Sequence, residues 1–308
     1  MDFFIDAKRD GMTVLEFVKK ETRLSAAHLK HIKFSDRGIL VNGSRVTVRR
    51  VLRAGEVLTL SVEDTDADVP REKLCPVDIP LDIAYEDGDC VVPNKSADMP
   101  THPSHNHYRD TVANALAYRY ETAGVPFVFR PVNRLDRNTS GLLLVARNRI
   151  AAGELSRAMA RGEIKKEYIA ILCGNPPADE GEIETYMRRT AESIIVRETC
   201  AEGEGGDYAL TRYRVLYKND KNSIVCASPV TGRTHQLRVH FASLGCAILG
   251  DELYGEPSEI IGRHALHSSS LTFPRVSDGR TQTVSAPIPE DMQRAIEVIF
   301  GASALRSQ

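Results

Sequence analysis

The sequence predicts an α+β protein in two parts. A small α/β module stands at the front, and a larger domain with a mixed, largely antiparallel sheet follows. Three observations lead there. Charge is laid out in blocks: a basic front, an acidic connector and a near-neutral body. The front reads as two short helices followed by a hairpin. Beyond about residue 81, strand-like and helical runs mix without the strict alternation expected of a parallel α/β sheet.

In the front segment, Thr13 and Glu16 form a Thr-x-x-Glu capping box ahead of Val14, Leu15 and Val18. Ser25 can cap a second short helix, SAAHLKHIKF, which places Leu29 and Ile32 on one face and Lys30 and Lys33 elsewhere. Two strand-like runs come next, ILVNGSRVTV and EVLTLSV, with turn signals at Asn42-Gly43 and Ala54-Gly55-Glu56. Residues 1–62 carry twelve Lys/Arg against seven Asp/Glu, whereas residues 63–89 carry two against ten. The expected layout is a module over 1–64, an acidic, proline-containing linker over 65–80 and a main domain over 81–308. Lys30, Lys33, Arg37 and Arg45, with Arg49 and Arg50 beside them, could meet phosphates and position a nucleic acid without reading its sequence. On charge alone, a solvated surface is the better explanation.

In the main domain CVVP, GLLLVARN, EYIAILCG, ALTRYRVLYK and SIVCASPV read as strands. TVANALAYRYE, AAGELSRAMARGE and PEDMQRAIEVIF read as amphipathic helices. Gly203 to Gly206 suggest a hairpin loop, because they lack the strand–GxGxxG–helix context of a dinucleotide site. There is no phosphate-loop motif and no GxSxG elbow. No apolar run approaches the roughly 20 residues of a membrane span. The opening MDFFIDAKRDGM does not resemble a secretory signal, so a cytoplasmic protein is expected. The six scattered cysteines, with no CxxC pair, fit free thiols. His102, His105 and His107 lack a neighbouring Cys or carboxylate cluster, so no metal is expected there.

The chemistry concentrates in FVFRPVNRLDRNTSGLLLVARN, residues 127–148, where Asp136 stands between Arg134 and Arg137 at the lip of an apolar strand. A carboxylate held in a pocket by a guanidinium stays ionised, and can serve as nucleophile, base or ion-pair partner. Alone, this tripeptide is better explained as an ion pair or turn residue organising the bend before the strand. Two further stretches bear on it. Tyr168 sits in GEIKKEYIAIL, and Gly232-Arg233-Thr234-His235-Gln236-Leu237-Arg238 follows an apolar strand. Arg233 could supply a bidentate partner for Asp136.

Taken in order, Arg134-Leu135-Asp136-x-x-Thr139-Ser140-Gly141, Lys166-x-Tyr168, Gly232 to Arg238 with His240, and Gly250-Asp251-x-x-Tyr254-Gly255 resemble the RluA/RluD family of pseudouridine synthases. The segment 85–104 fits that resemblance too. The front resembles the RNA-binding module named after ribosomal protein S-four, so the likeness covers nearly the whole chain. It implies isomerisation of uridine to pseudouridine in RNA, without cofactor or metal; a monomer is the default expectation. Ribosomal RNA of the large subunit, 23S, is favoured over transfer RNA. A non-catalytic RNA-binding assembly factor is the rival reading.

Carried over residue by residue, the resemblance makes Asp136 the essential carboxylate. Tyr168 becomes the stacking partner of a flipped uracil and an aid to proton removal from its carbon 5. Arg233 becomes the partner of Asp136. Asn133, Arg134, Leu135, Thr139, His235 and Gln236 become substrate contacts. Three positions depart from the family pattern. Asn133 stands where His is common and is expected to turn a polar edge to RNA. Pro93 and Ser96 interrupt a Val-Asn-Lys-Pro run, and Pro93 is expected at an edge or an early strand end. Arg275 follows Pro274 where His-Pro is commoner.

Overall fold

The computed structural model describes residues 1–22, 24, 29, 32–33, 38–61, 74–104 and 106–301. The first sheet comprises β1 (Asp2–Phe4), β2 (Ile39–Val41), β3 (Ser44–Arg45) and β4 (Val57–Leu60), in the antiparallel order β1-β4-β2-β3. Helix α1 (Val14–Glu21) buries Val14, Phe17 and Val18 in a core shared with Ile5, Leu52 and Leu58. Its start is the expected capping box: Thr13 Oγ1 accepts from the Glu16 amide at 3.2 Å, and Glu16 Oε2 accepts from the Thr13 amide at 2.9 Å. Asn42 and Gly43, at φ 47° and 77°, make the tight turn between β2 and β3. Ser25, Lys30, Arg37 and linker residues 62–73 lie outside the described residues. Leu29 and Ile32 are buried in the same core, as the helical pattern requires, and Lys33 and Arg45 are exposed.

Among the described residues the second sheet has twelve strands. The first six are β5 (Asp82–Glu86), β6 (Cys90–Lys95), β7 (Arg130–Pro131), β8 (Ser140–Leu142), β9 (Val145–Ala146) and β10 (Lys165–Cys173). The others are β11 (Glu180–Arg189), β12 (Arg197–Cys200), β13 (Asp207–Lys218), β14 (Asn222–Pro229), β15 (Leu266–Pro274) and β16 (Thr281–Ser285). The path is β12-β11-β13-β14-β10-β15-β8-β6-β9-β7, with β16 on β15 and β5 on β6. Four helices accompany it: α2 (Val112–Thr122), α3 (Arg149–Ala160), α4 (Gln236–Ser243) and α5 (Glu290–Phe300). This is the mixed, largely antiparallel α+β arrangement that the segment order anticipates.

Side-chain alternation sorts the core into two layers. On one face Cys90, Val92, Leu142 and Leu144 pack with Ala151, Leu155 and Ala158 of α3. On the other, Val91, Leu143 and Val145 join Leu116 of α2, Phe241 of α4 and Ile296 of α5. Among the described residues only the β15–β8 pair is parallel, with His267 opposite Ser140 and Ser268 opposite Gly141. It joins the two halves of the sheet. Gly141 has φ +108°, and a Cβ there would lie 2.2 Å from the Ser268 carbonyl oxygen. Only glycine permits that approach, so Gly141 fixes where the loop 132–139 arrives.

Pro93 departs from expectation. It is buried inside β6, which pairs with β5, β8 and β9, so the strand is neither at the edge nor cut short. A register shift between Ile83 and Tyr85 on β5 lies opposite Pro93 and Val92. A bulge there accommodates the missing N–H donor.

Candidate active site

Asp136 sits in the loop between β7 and β8, and each residue around it is tied individually. Thr101 Oγ1 donates to the Leu135 carbonyl at 2.9 Å and accepts from its amide at 3.3 Å. The Asp136 carbonyl accepts from the Thr139 amide at 3.1 Å. Lys95 Nζ, on buried β6, donates to the carbonyls of Arg137 and Ser96, each at 2.9 Å. Arg263 donates to the Asn138 carbonyl at 3.0 Å and is clamped by Asp291 at 2.7 Å and 3.1 Å. Thr139 Oγ1 meets His264 Nε2 at 2.9 Å, and Ser140 Oγ meets His267 Nδ1 at 3.0 Å. Arg137 turns away to Asp98, with Nε on Oδ1 at 2.7 Å, and approaches His107.

The Asp136 side chain remains 27% exposed, so a substrate can reach it. Its guanidinium neighbour is Arg238, with Nη1 at 3.6 Å from Oδ2. Arg238 is itself held by Asp251 in a fork, with Nε on Oδ2 and Nη2 on Oδ1, both at 2.7 Å. Asp251 is wholly buried. One cation therefore serves two carboxylates. The bidentate bonds belong to Asp251, and the longer contact sets a positive charge beside Asp136 without fixing it.

Arg233, expected as that partner, lies elsewhere. It is exposed, and its Nε donates to the Tyr208 carbonyl at 2.9 Å. The physical reason is helix phase. Helix α4 starts at Gln236, so Arg238 is carried inward beside Asp251, whereas Arg233 precedes the helix on the outer side of the turn.

His235 precedes α4 in the left-handed region, at φ 58°. Its Nδ1 meets Tyr254 Oη at 2.8 Å, and that oxygen accepts from the Arg197 amide at 2.9 Å. Tyr254 therefore donates to Nδ1, and the proton of the neutral ring sits on Nε2, which faces Asp136 Oδ1 at 4.0 Å. Burial holds the His235 imidazole below its ordinary value, against the pull of Asp136.

Tyr168 on β10 is 7% exposed and lies near enough to feel the Asp136 charge. Burial pushes its phenol well above the ordinary value; a Ser268 hydrogen bond opposes this and Asp136 adds to it. Tyr168 is thus a neutral phenol with an aromatic ring, suited to stacking. Lys95 is pulled down to about 7 by burial and then by Arg263, with Asp136 and Asp98 opposing.

The other expected contacts divide. Arg134 is exposed at the lip, close enough to His102 to lower that imidazole after burial. Leu135 is buried in the core. Thr139 is spent on His264. Gln236 is buried with both ends used internally. Its Nε2 donates to the Leu210 carbonyl and to Thr211, and its Oε1 accepts from Thr231 and from the Arg233 amide. Asn133 turns inward, not toward RNA. Its Oδ1 accepts from the Leu144 amide at 2.8 Å, replacing a strand bond where the chain bends, and its Nδ2 is buried. No cluster of metal-ligating side chains occurs among the described residues, and His105 lies outside them. Sequence reasoning gave no role to Lys95, Thr101, Asp251, Arg263, His264 or His267. The available signal was a set of charged or polar residues inside apolar runs, as in VVPNK and ILGDELYG.

Two outcomes are expected. Arg238→Lys keeps the charge but loses the fork, so kcat falls by about 100-fold or more while Arg233→Gln stays within about threefold; steady-state kinetics of the two folded variants checks this. The second concerns pH. Burial holds His240 and His267 at about 4 and His264 at about 3, against an ordinary 6.5. As pH falls below 6.5 the unfolded chain takes up protons that the folded chain refuses, so stability is full above 6.5 and drains away toward those folded values. The thermal midpoint should drop across that window and less so in His267→Asn; a midpoint constant from about pH 7 to about pH 4 would contradict this.

Residues 89–243 match the family described as RNA pseudouridylate synthase. An uncharacterized RNA pseudouridine synthase, YjbO, of Bacillus subtilis is 37% identical over 93% of this chain and 99% of its own length. The ribosomal large subunit pseudouridine synthase D of Zymomonas mobilis is 33% identical over 91% of this chain and 90% of its own. The solved human RNA pseudouridylate synthase domain containing 1 superposes with a TM-score of 0.54 and 33% identity, over 68% of this chain and 83% of that one. Asp136, Tyr168 and Arg238 all stand inside the matched stretch, and on these grounds the chain belongs to the RNA pseudouridylate synthase family.

Proposed function

We propose that Asp136 is the reacting carboxylate with which this RNA pseudouridine synthase isomerises uridines of 23S ribosomal RNA. The observation that carries the reading is the half-held state of Asp136: it stands 3.6 Å from Arg238, yet is 27% exposed, and it lies near enough to Tyr168 for its charge to act there. A base in a helix or loop must leave its stack before its glycosidic bond can be attacked. Tyr168 offers an aromatic face that compensates for the lost stacking. The carboxylate then attacks the sugar carbon or removes a sugar proton. Either route cleaves the bond to nitrogen and lets the uracil turn; carbon 5 then bonds to the sugar carbon, which expels the carboxylate or takes back the sugar proton it held. The carbon-5 proton is lost while the freed nitrogen takes one up, so the reaction is a net isomerisation. Arg238 holds Asp136, and Arg134 meets the RNA at the lip.

The ribosomal substrate is favoured by the relatives named as large subunit synthases and by the basic front, read as an RNA-binding module over 1–64 resembling that of ribosomal protein S-four. Lys33 and Arg45 are exposed there. The linker over 65–80, the catalytic domain over 81–308, a monomeric state and a cytoplasmic location complete the proposal. Among the described residues no helix is long and apolar enough to cross a membrane.

The test is tritium release from RNA labelled at carbon 5 of uridine. Wild type should release tritium from unmodified 23S transcript and not from transfer RNA, and Asp136→Ala should release none from either. Release from transfer RNA alone would overturn the ribosomal reading. Release by Asp136→Ala would overturn the catalytic one.

A further inference from the structure

Lys166 lies on β10 two residues before Tyr168. Strand side chains alternate, so the two share a face. Lys166 is 7% exposed. Burial alone draws its ammonium below the ordinary lysine value. Lys95, buried to a similar degree, places its Nζ on two carbonyls. Among the described residues nothing comparable holds Lys166: it has no hydrogen bond and no ion pair. Leu271 stands opposite it on β15, and the next residue, Glu167, points to the other face and is exposed. The Lys166 Nζ is not among the buried polar atoms left without a partner, so the stem is buried while the tip reaches solvent, a cation to which the described residues offer no counter-charge.

Its tip is not aimed at the core. A Cβ placed on Gly232 would lie 3.7 Å from Nζ, so the ammonium ends against the turn that leads into α4. That turn carries Arg233, which is exposed, bonded to a carbonyl and, among the described residues, without a carboxylate partner. Two residues of strand span about 6.6 Å, comparable to the reach of one nucleotide from its base to its phosphate. A uracil on the Tyr168 ring would therefore bring a backbone phosphate to the level of Lys166.

We propose that Lys166, against the Gly232-Arg233 turn, is the seat of an RNA backbone phosphate beside the flipped uridine. The proposal rests on the reading of Asp136 and Tyr168 as the uridine site. The anion supplies the counter-charge that the protein omits. An unmet ammonium in the free enzyme becomes a met one in the complex, so the contact favours the strand that delivers its uridine to Asp136.

The experiment measures binding of unmodified 23S and transfer RNA transcripts across a salt series, with full-length wild type, Lys166→Met, Lys166→Arg and Lys165→Met. Loss of one phosphate contact makes the plot of log affinity against log salt shallower by about 0.7 to 0.9. Lys166→Met should show that change together with a raised KM and an unaltered kcat. Lys166→Arg should restore the slope. Lys165→Met, next along the strand on the opposite, exposed face, should match wild type. Where the Met variant does not fold, judged by its thermal midpoint, Lys166→Gln takes its place. An unchanged slope in the folded variant overturns the proposal, and so does an equal change in Lys165→Met. Failure of the ribosomal reading is separately visible, as wild-type tritium release from transfer RNA only, and leaves the salt slope to judge Lys166 on that RNA.

Discussion

The structure turns on one guanidinium shared between two carboxylates. Arg238 and Asp251 form a buried, bidentate pair, and the third nitrogen of Arg238 reaches Asp136. Buried charges are tolerated when geometry and hydrogen bonding are both satisfied. Here Asp251 satisfies the fork and also accepts from the amides of Leu253 and Tyr254. With that anchor in place, a positive group can stand beside Asp136 without binding it so firmly that it cannot react. Tyr254 extends the array, stacking its ring 5.0 Å from the Arg238 guanidinium and orienting His235.

The other requirement is a loop that does not move. The carbonyls of Leu135, Arg137 and Asn138 accept from three different side chains, on the 101 segment, β6 and the segment before β15. The parallel contact at Gly141 fixes the end of the same loop to β15. Rigid support by strands lets a carboxylate be placed precisely relative to an incoming sugar, and misplacement by about 1 Å can cost about 100-fold in rate. The polar ties also explain why so many charged and polar residues lie buried in this half of the sheet.

Much of this was legible in the sequence. The Thr13–Glu16 cap, the Asn42-Gly43 turn, four of the five named strands and the three amphipathic helices carry local signals and are present, while the fifth, GLLLVARN, is divided between β8 and β9. The strands β11 and β12 were less visible, because EGEIETYMRR and RETC are mostly polar and lie toward one end of the sheet. Pro93 misled because proline alone argues against an interior strand, and the bulge that accommodates it lies on a different strand. Arg233 and Arg238 are both arginines of one short motif. Only the phase of α4 and the position of Asp251, thirteen residues after Arg238, decide which turns inward. Gln236 and Thr139 share this ambiguity: a polar residue in a motif can serve the fold as well as the substrate, and its hydrogen-bond partners are set by tertiary contacts.

The most direct test of the central claim is a crystal structure of the enzyme with an RNA fragment carrying 5-fluorouridine at the position that responds in the tritium assay. The account predicts the fluorinated ring against Tyr168, the sugar carbon facing Asp136 and Arg238 still forked on Asp251. A ring bound elsewhere, or Arg238 released from Asp251 to pair with the RNA, would contradict it.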